Sequence, residues 1–546
     1  MYNPPKSKFI RIFDDATELH ENKEFNKAKI KYLQALEIKP DNSLILWKLG
    51  DICIALNEFD HAAVYYSRLE RLSPGNTDII NNFAFCLIKI NAHEAAEKVL
   101  LSALEINSND LSTYLNLIVL HCSKFQYEIA LQYAKKALLI APSSAIVHNN
   151  VGAVLQKLGH DQLAAYEFET ASLIDPKYFD PQINLAGLKS KNRRFEEAIQ
   201  HYEVLLNRID LDDESAIKIK QSLAANYLSI GNLELGWRYY ELGFHPLIEF
   251  EMARSPNRVF SVPRWEGGPL GDRTILVWGE QGIGDELLFM SCLQDLCKLT
   301  ENIIVECQSR IVNEIARSFP KIKVRASSFN SDVGFTSKFQ DYDLQIPMGS
   351  LPLIFRKELK DFHNGGPYLI VHKYKAEIFE KRIADIDKNK LRIGVCWRSG
   401  FQNAEREYFY SKLSDWGPIF SNKNLLFINL QYGECEAELI CAEKEFNIEI
   451  IRWPDLNLKD DFESTFALIS RLDAVVTIGS AVVAMSGAVG VKTFLMAPSL
   501  DWPNLGTNDY PWFPNVEFIT AAQSGEIVSV SRCLPIVADR LIHDIL

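Results

Sequence analysis

The first 245 residues repeat with a period of 34 residues, and this period constrains the fold more than any other feature of the chain. Prolines and small residues each recur at their own position of the period. The prolines are Pro40, Pro74, Pro142 and Pro176, and the small residues are Ala28, Ala62, Ala96, Ala130, Ala164 and Ala198. Because several classes of position share one period, each unit is predicted to be a helical hairpin that buries its apolar face against its neighbours.

Other positions of the period support the same interpretation. Gly50 and Gly152 occupy the place in the first helix where a second helix would pack closely. His121 and His148 fall at packing positions and are predicted to be core residues. The pattern resembles the tetratricopeptide repeat, with six repeats and a degenerate seventh at about 215–245. This resemblance implies a superhelix whose concave surface binds a protein or peptide.

After the repeats the pattern changes to short strand-like runs that alternate with helical patterns. These runs include ILVW, IIVEC and KIKVRA, and a second series begins at LRIGVCW (391–397). Strands that alternate with helices imply parallel sheets covered by helices. We therefore predict an all-α tetratricopeptide superhelix over 1–245, a linker over 246–272 and two Rossmann-like α/β lobes over 273–385 and 386–546, with a cleft between the lobes.

The first predicted strand leads into a glycine-rich turn, GEQGIGDE (279–286), and then into an apolar run that predicts a helix. Glycines at such a turn let a ligand approach the N–H groups of the helix start, so Gly282 and Gly284 are candidate binding residues. The spacing G-x-x-G-x-G matches neither the dinucleotide fingerprint nor the phosphate loop. Glu306, near the end of the next strand, leaves a nicotinamide site open as an alternative. A tight turn without a ligand is another.

Three loops of the second lobe also follow predicted strands and carry polar or small residues. They are Arg398-Ser399-Gly400, Gln431-Tyr432-Gly433 and Gly479-Ser480-Ala481. Small residues at a helix start let a phosphate reach backbone N–H groups, and an arginine pairs with it bidentately. Together the loops predict a nucleotide-phosphate site, although each loop alone is also compatible with an ordinary turn.

The candidate catalytic group is a carboxylate. None of the three histidines after residue 245 follows a glycine turn, which argues against a histidine-centred triad. Asp285 is the acid best placed at the cleft, and a carboxylate deprotonates an acceptor hydroxyl that lies within hydrogen-bond reach. The two D-x-D patterns, at 210–212 and 341–343, lie in other contexts, so no metal site is assigned.

The chain from about 263 to 520 resembles the heptosyltransferase-like glycosyltransferases of the two-lobed GT-B class, and in particular the bacterial subgroup with tetratricopeptide repeats in front. The segments that carry this resemblance are PRWEGGPLGDRTILVWGEQGIGDELLF, YDLQIPMGSLP, IGVCWRSG, NLQYG, LISRLDAVVTIGSAVVAMSGAVGV and YPWFPNV. The resemblance implies an inverting, metal-independent transfer of a sugar from a nucleotide sugar without a cofactor. It also implies that Asp285 is the catalytic carboxylate and that the repeats recruit a protein acceptor, which is flagellin for some relatives, or a cell-surface acceptor.

One turn departs from this pattern. Many relatives have Ser-Val-Asp-Thr-Ala-x-x-His at the late strand-to-helix turn, whereas this chain has Gly479 in place of the acid and Ala484 in place of the histidine. The leading hypothesis is a glycosyltransferase in which backbone amides and Arg398 hold the diphosphate. The alternative is a catalytically impaired scaffold that binds partners through the repeats.

Composition excludes several other classes of protein. The net charge of −13 argues against a nonspecific nucleic-acid or anionic-membrane binder. The sequence has no apolar run long enough to cross a membrane and no leader pattern at its start, so we expect a soluble, cytoplasmic protein. The ten cysteines lie scattered without a C-x-x-C pair, which favours packed, reduced thiols over a zinc site.

Overall fold

The computed structural model describes residues 8–248, 253–327, 339, 341–364, 366–399, 408–523 and 525–544. It divides into two units, residues 1–185 and 186–546, and the division falls within one helix. Gly400, one of the predicted site residues, lies outside the described residues.

The described part of the first unit consists of five helical hairpins and the start of a further helix. The hairpins are α1 (Lys8–Glu21) with α2 (Phe25–Ile38), α3 (Ser43–Ala55) with α4 (Phe59–Leu72), α5 (Thr77–Lys89) with α6 (His93–Ile106), α7 (Leu111–Ser123) with α8 (Tyr127–Ile140), and α9 (Ala145–Lys157) with α10 (Asp161–Ile174). Each hairpin falls within one period of the sequence, so the predicted helical repeats are confirmed.

The turn inside each hairpin places one residue in the left-handed region of backbone conformation. Lys23, Asn57, Asn91 and Phe125 have φ between 56° and 59°, and Gly159 has a φ of 79°. These positions lie 34 residues apart. The conformation costs a residue with a side chain about 1 kcal/mol, and asparagine and glycine tolerate it best. The sequence analysis missed this position because lysine and phenylalanine do not mark a turn.

Small residues are the points where the helices touch. The five alanines of the lattice in this unit are fully buried: Ala28, Ala62, Ala96, Ala130 and Ala164. The Tyr66 ring lies against Gly50 and the Phe168 ring lies against Gly152, and a β-carbon at either glycine would lie 2.7 Å from a ring carbon. His121 and His148 are buried as well, as predicted.

Replacing Gly152 with alanine is expected to destabilise the repeats, because the Phe168 ring is fully buried and has no room to move away from the added methyl group. We expect a loss of about 1–3 kcal/mol from overpacking. Urea denaturation followed by helical circular dichroism measures the effect. The control is Gly187→Ala, where the nearest atom to the new β-carbon would be the Tyr202 hydroxyl at 3.6 Å. A Gly152→Ala midpoint equal to that of the control would contradict the close contact.

The second unit begins within α11 (Asp180–Lys191) and continues with α12 (Phe195–Leu206), α13 (Asp213–Ser229) and α14 (Leu233–Tyr240). The sequence analysis assigned these helices to the repeat domain that ends at residue 245. By their packing they belong with the α/β lobes. Gly231 lies in the turn between α13 and α14. A β-carbon added at Gly506, in a later loop of the chain, would lie 2.6 Å from the backbone nitrogen of Gly231.

A cluster of tryptophans completes this packing. The ring of Trp237, on α14, lies 6.5 Å from that of Trp502 and 6.0 Å from that of Trp512. Its indole N–H donates to the carbonyl oxygen of Arg356 at 3.0 Å. Trp512 also packs against Phe289, with 5.7 Å between the rings. Helix α14 therefore contacts residues of both lobes at once.

The described part of the first lobe contains one four-stranded parallel sheet. Its strands are β1 (Ile275–Trp278), β2 (Ile303–Cys307), β3 (Lys323–Ala326) and β4 (Leu344–Pro347), in the order β3-β2-β1-β4. The helices are α15 (Ile283–Met290), α16 (Leu293–Leu299), α17 (Val312–Ser318), α18 (Leu351–Phe355) and α19 (Lys373–Ala384). All four residues of β1 are buried, as its continuous apolar run predicts.

The second lobe contains a six-stranded parallel sheet among its described residues. Its strands are β5 (Leu391–Cys396), β6 (Leu425–Asn429), β7 (Ile450–Ile451), β8 (Ala474–Ile478), β9 (Thr493–Met496) and β10 (Val516–Ile519), in the order β10-β9-β8-β5-β6-β7. The helices are α20 (Gly417–Phe420), α21 (Glu436–Phe446), α22 (Phe462–Ile469), α23 (Ala481–Val489) and α24 (Leu534–Asp544). Counted from its own first strand, the sheet has the order 3-2-1-4-5-6 of a doubly wound fold. The sequence analysis missed β10, whose four residues alternate too briefly to show a pattern.

The segment predicted to be a linker lies against the first sheet. Arg264 pairs with Gln345 as a single parallel bridge beside β4. The neighbouring Trp265 is buried, and its indole N–H donates to the carbonyl oxygen of Gly268 at 2.7 Å. Trp265 therefore anchors the part of this segment beside β4.

Candidate functional site

Three of the four predicted groups of site residues follow strands that border a reversal of strand order, whereas Gln431, Tyr432 and Gly433 follow β6, which does not. In each sheet the strand order reverses beside the first strand, between β1 and β4 in one lobe and between β5 and β8 in the other. Doubly wound proteins bind ligands at this reversal, outside the carboxyl ends of the strands. Gly282 follows β1, Arg398 follows β5 and Gly479 follows β8. Both reversals therefore carry predicted residues.

The two lobes meet at the starts of α15 and α23. A β-carbon at Gly284 would lie 3.6 Å from the Cα of Ala481. This contact brings together the turn that carries Asp285 and the turn that contains Gly479 and Ser480. Two of the four groups of residues singled out in the sequence are thus neighbours, although about 200 residues separate them along the chain.

Asp285 lies in the first turn of α15, with Gly282 as the residue before the helix. The N–H of Gly282 donates to Oδ2 of Asp285 at 3.2 Å. Burial raises the pKa of the Asp285 carboxyl above its ordinary value, and the charge of Glu280 acts in the same direction, while the Gly282 N–H opposes them. A carboxylate with a raised pKa accepts a proton more readily at neutral pH.

Two further acids flank Asp285, and both are buried. Glu280 pairs with the guanidinium of Arg254, with 2.7 Å between Oε2 and Nε, and accepts the N–H of Gly349 at 2.9 Å. Glu286 accepts the N–H of Gln308 at 3.1 Å and forms no ion pair in the described part of the chain. Burial raises the pKa of Glu286 to about 7, and the charges of Asp285 and Glu280 add to this effect.

Glu286 is expected to make the stability of the protein depend on pH. Because the folded state holds this proton more tightly than the unfolded state, stability falls as the pH rises from about 4.5 through about 7. Glu286→Gln should remove this loss, so the variant should gain about 3 kcal/mol over the unchanged protein between pH 4.5 and pH 8. Urea denaturation at several pH values measures the difference. The exposed Glu234→Gln serves as control, and parallel pH profiles for the two variants would contradict the assignment.

Arg398 does not present a free guanidinium to the cleft. Its Nε and Nη2 donate to Oε1 of Glu438, on α21, at 3.0 and 2.7 Å. These bonds raise the pKa of the Arg398 guanidinium. In this structure Arg398 is therefore not free to bind a diphosphate as expected, because its guanidinium is bound to the Glu438 carboxylate of the same lobe.

The Gln431 side chain binds backbone groups of the neighbouring loop after β5. Its side chain is buried, and Oε1 accepts the backbone N–H groups of Trp397 and Arg398 at 3.1 and 3.0 Å. It thereby fixes the loop after β5. Tyr432 and Gly433 follow it on the surface side, and Gly433 has a φ of 82°.

Ser399 lies in the segment that follows β5. The Ser399 hydroxyl lies 3.1 Å from that of Tyr410. Gly400 is outside the described residues, so its predicted role stays a prediction.

The turn after β8 is open. Apart from Gly479 itself and its two chain neighbours, no heavy atom of the described residues lies within 4 Å of the place where a β-carbon on Gly479 would be. Ser480 is the residue before α23, and its hydroxyl accepts the N–H of Val482 at 3.3 Å. Ala484, at the position of the histidine in the resembling family, is buried in the helix. The turn thus offers space and helix-start N–H groups, but no side-chain charge of its own.

The sequence analysis missed two tyrosines and an arginine near Asp285. Tyr240 ends α14 and Tyr510 lies in the loop before β10; burial raises the pKa of both, and the charge of Asp285 contributes to each shift. Arg254 lies in the predicted linker. These residues come from segments distant in sequence, so no motif links them to the turn.

Two cavities in this unit lie away from the predicted loops. One, of ≈ 480 Å³, is lined by Arg317, Glu377 and the segment 372–374. The other, of ≈ 550 Å³, borders the edge strand β7 and includes Glu443 and Trp453. Neither contains a predicted site residue, and we base the site on sheet topology and on the contact between the lobes.

The described residues contain no group of three or more His, Cys, Asp or Glu side chains arranged to hold a metal ion. The same part of the chain contains no helix that is both long and apolar enough to span a membrane.

The chain is similar in sequence to proteins of other organisms, but no protein-family model matches it. The protein FlbA of Caulobacter vibrioides is 24% identical over 506 residues, which cover 90% of this chain and 78% of FlbA. Tetratricopeptide repeat protein 8 of Caenorhabditis elegans is 24% identical over 200 residues, 36% of this chain and 40% of that protein. The first unit of this chain consists of helical hairpins that follow the 34-residue period of the sequence.

A tetratricopeptide repeat protein from Parabacteroides merdae is among the similar solved structures. It is 16% identical, with a TM-score of 0.37, over 40% of this chain and 84% of its own. The helical repeats and the parallel α/β region are established by the fold described above.

Proposed function

We propose that this tetratricopeptide-repeat protein is a glycosyltransferase of the GT-B type that moves a sugar from a nucleotide sugar to a protein or cell-surface acceptor recruited by the repeats. The observation that carries the proposal is the contact between the start of α15, with Asp285, and the start of α23. A base for the acceptor and the open Gly479 turn for the donor then belong to one site.

In the proposed reaction the Asp285 carboxylate takes the proton of an acceptor hydroxyl. The hydroxyl oxygen forms a bond to the anomeric carbon as the bond from that carbon to the diphosphate breaks. Negative charge then develops on the leaving diphosphate, and donors aimed at this charge lower the barrier. The N–H groups at the start of α23 supply such donors beside the open Gly479 turn. No step requires a metal ion.

Arg398 has a conditional role in this scheme. Its guanidinium binds Glu438 in the absence of a donor. A diphosphate would have to displace that carboxylate in order to pair with Arg398. Glu438 is 39% exposed, so its side chain has room to move away.

Calorimetric titration with UDP, GDP, ADP, CDP and dTDP tests the donor site. At least one of these nucleotides should bind, and Ser480→Asp should weaken that binding at least tenfold, because a carboxylate would then face the phosphates. Aspartate also caps helices well, so α23 should be retained. Ser144→Asp is the matched control, since Ser144 precedes α9 in the repeats. Failure of every nucleotide to bind the unchanged protein would rule out the proposal.

The second candidate function is a scaffold that binds partners through the repeats and has lost catalysis. The ion pair between Arg398 and Glu438 favours it, as do Gly479 and Ala484 at the positions of the acid and histidine of related enzymes. This candidate predicts that no nucleoside diphosphate binds, whereas the transferase predicts binding to one of them.

A further inference from the structure

The turn that carries Asp285 contains a residue in an unfavourable backbone conformation. Gln281 has a φ of 61°, in the left-handed region that favours glycine. Such a residue persists when surrounding contacts fix it. The contacts of Gln281 therefore decide where the following residues of the turn lie, including Asp285.

Two contacts fix Gln281, and both come from outside the first lobe's sheet and helices. Its backbone N–H donates to the carbonyl oxygen of Ser255 at 2.5 Å. Its side-chain Nε2 donates to the hydroxyl oxygen of Tyr240, the last residue of α14. Helix α14 thus bonds directly to the turn that carries the proposed base.

Tyr240 is itself held on several sides. Its ring packs edge-on against Trp237, with 6.0 Å between centroids, and lies 6.1 Å from the Phe289 ring. The Arg254 guanidinium lies 4.4 Å over its centre. Because these contacts involve the ring and not the hydroxyl, the ring would stay in place if the hydroxyl were removed.

We propose that Tyr240 is a positioning residue for Asp285 and that α14 is therefore part of the transferase machinery. The inference rests on the proposed function for its catalytic meaning, because Asp285 must act as the base. The hydrogen bond from Gln281 to Tyr240 holds the 279–285 turn in place.

Hydrogen–deuterium exchange of the full chain tests the positioning without any substrate. The N–H groups of Gly279, Gln281 and Gly282 are all hydrogen-bonded, so their exchange reports on the turn. Tyr240→Phe should speed their exchange about tenfold, equivalent to about 1.4 kcal/mol. Tyr239→Phe is the control, because the Tyr239 ring packs on Tyr227 and its hydroxyl has no hydrogen bond among the described residues.

A double-mutant cycle separates this bond from general loosening of the fold. Once Gln281→Met has removed the side-chain N–H, Tyr240→Phe should have no further effect on exchange. Unchanged exchange in Tyr240→Phe, or independent effects of the two substitutions, would overturn the proposal. In a transfer assay Tyr240→Phe should slow transfer about tenfold while nucleoside diphosphate affinity stays the same.

The two proposals fail in different ways. If the unchanged protein binds no nucleoside diphosphate and transfers no sugar, the proposed function is wrong whatever the exchange data show. If Asp285→Asn transfers sugar normally, Asp285 is not the base and Tyr240 has no catalytic role through it. If Asp285→Asn is inactive but Tyr240→Phe leaves both exchange and transfer unchanged, only the role of Tyr240 is wrong.

Discussion

Replacing Asp285 with asparagine is expected to lower sugar transfer about 10²- to 10⁴-fold, because an amide cannot take the proton of the acceptor hydroxyl. Nucleoside diphosphate binding should be largely retained, since asparagine keeps the size of the side chain and can still accept the Gly282 N–H. Mass spectrometry of proteins from cells that produce the unchanged chain or the variant measures the transfer. The sugar's mass increment should be present with the former and absent with the latter.

Asp213→Asn is the control for this experiment, because Asp213 is an exposed acid in the first turn of α13. Its substitution removes the same charge from a helix start away from the cleft, so transfer should continue. Transfer should also rise with pH as Asp285 loses its proton, at a higher pH than for an ordinary aspartate. A mass increment that is unchanged in Asp285→Asn would remove this residue from the mechanism.

Replacing Arg254 with methionine is expected to destabilise the second unit by about 3–5 kcal/mol. The Arg254 side chain is 3% exposed and pairs with both Glu280 and Glu241. Methionine keeps much of the volume but leaves the fully buried Glu280 without its counter-charge. Because the guanidinium also lies 4.3 Å over the Phe244 ring, an aromatic contact is lost as well. Urea denaturation followed by tryptophan fluorescence measures the effect.

Arg238→Met provides the matched comparison. Arg238 pairs with Glu234 on the surface of α14, with both side chains more than half exposed. Exposed pairs of this kind contribute at most about 1 kcal/mol. Equal losses for the two variants would show that Arg254 contributes no more than a surface arginine.

The sequence predicted those parts of the fold that depend on local pattern. Helical hairpins followed from a 34-residue period, and the buried strand β1 followed from a continuous apolar run. The end of the repeat domain was harder to predict, because helices α12–α14 keep a helical pattern while their exposed faces pack on the lobes. Trp237 has the same local signature whether its ring faces another repeat or Trp512.

Prediction of the site was limited for a similar reason. Asp285 and Gly479 could be found because each follows a strand at a glycine turn, and such turns have a sequence signature. The partners of these residues come from distant segments. Nothing local to Arg398 indicates that Glu438 binds it, and nothing local to Gln281 indicates that Tyr240 does. Gln431 likewise resembles a ligand-binding residue in sequence, although its side-chain amide oxygen accepts backbone N–H groups of the loop after β5.

Two features limit the positions at which this chain can be joined to helices of another protein. They are the contact between Gly231 and Gly506 and the adjoining tryptophan cluster. A chimaera joined at residue 245 would place foreign helices against Trp502 and Trp512. Any side chain at position 231 would also press on the backbone of Leu505, because the added β-carbon would lie 3.1 Å from the Leu505 carbonyl oxygen. A junction before α12 keeps these surfaces together. Exchange of acceptor specificity by grafting repeats should therefore transfer only the helices that precede α12.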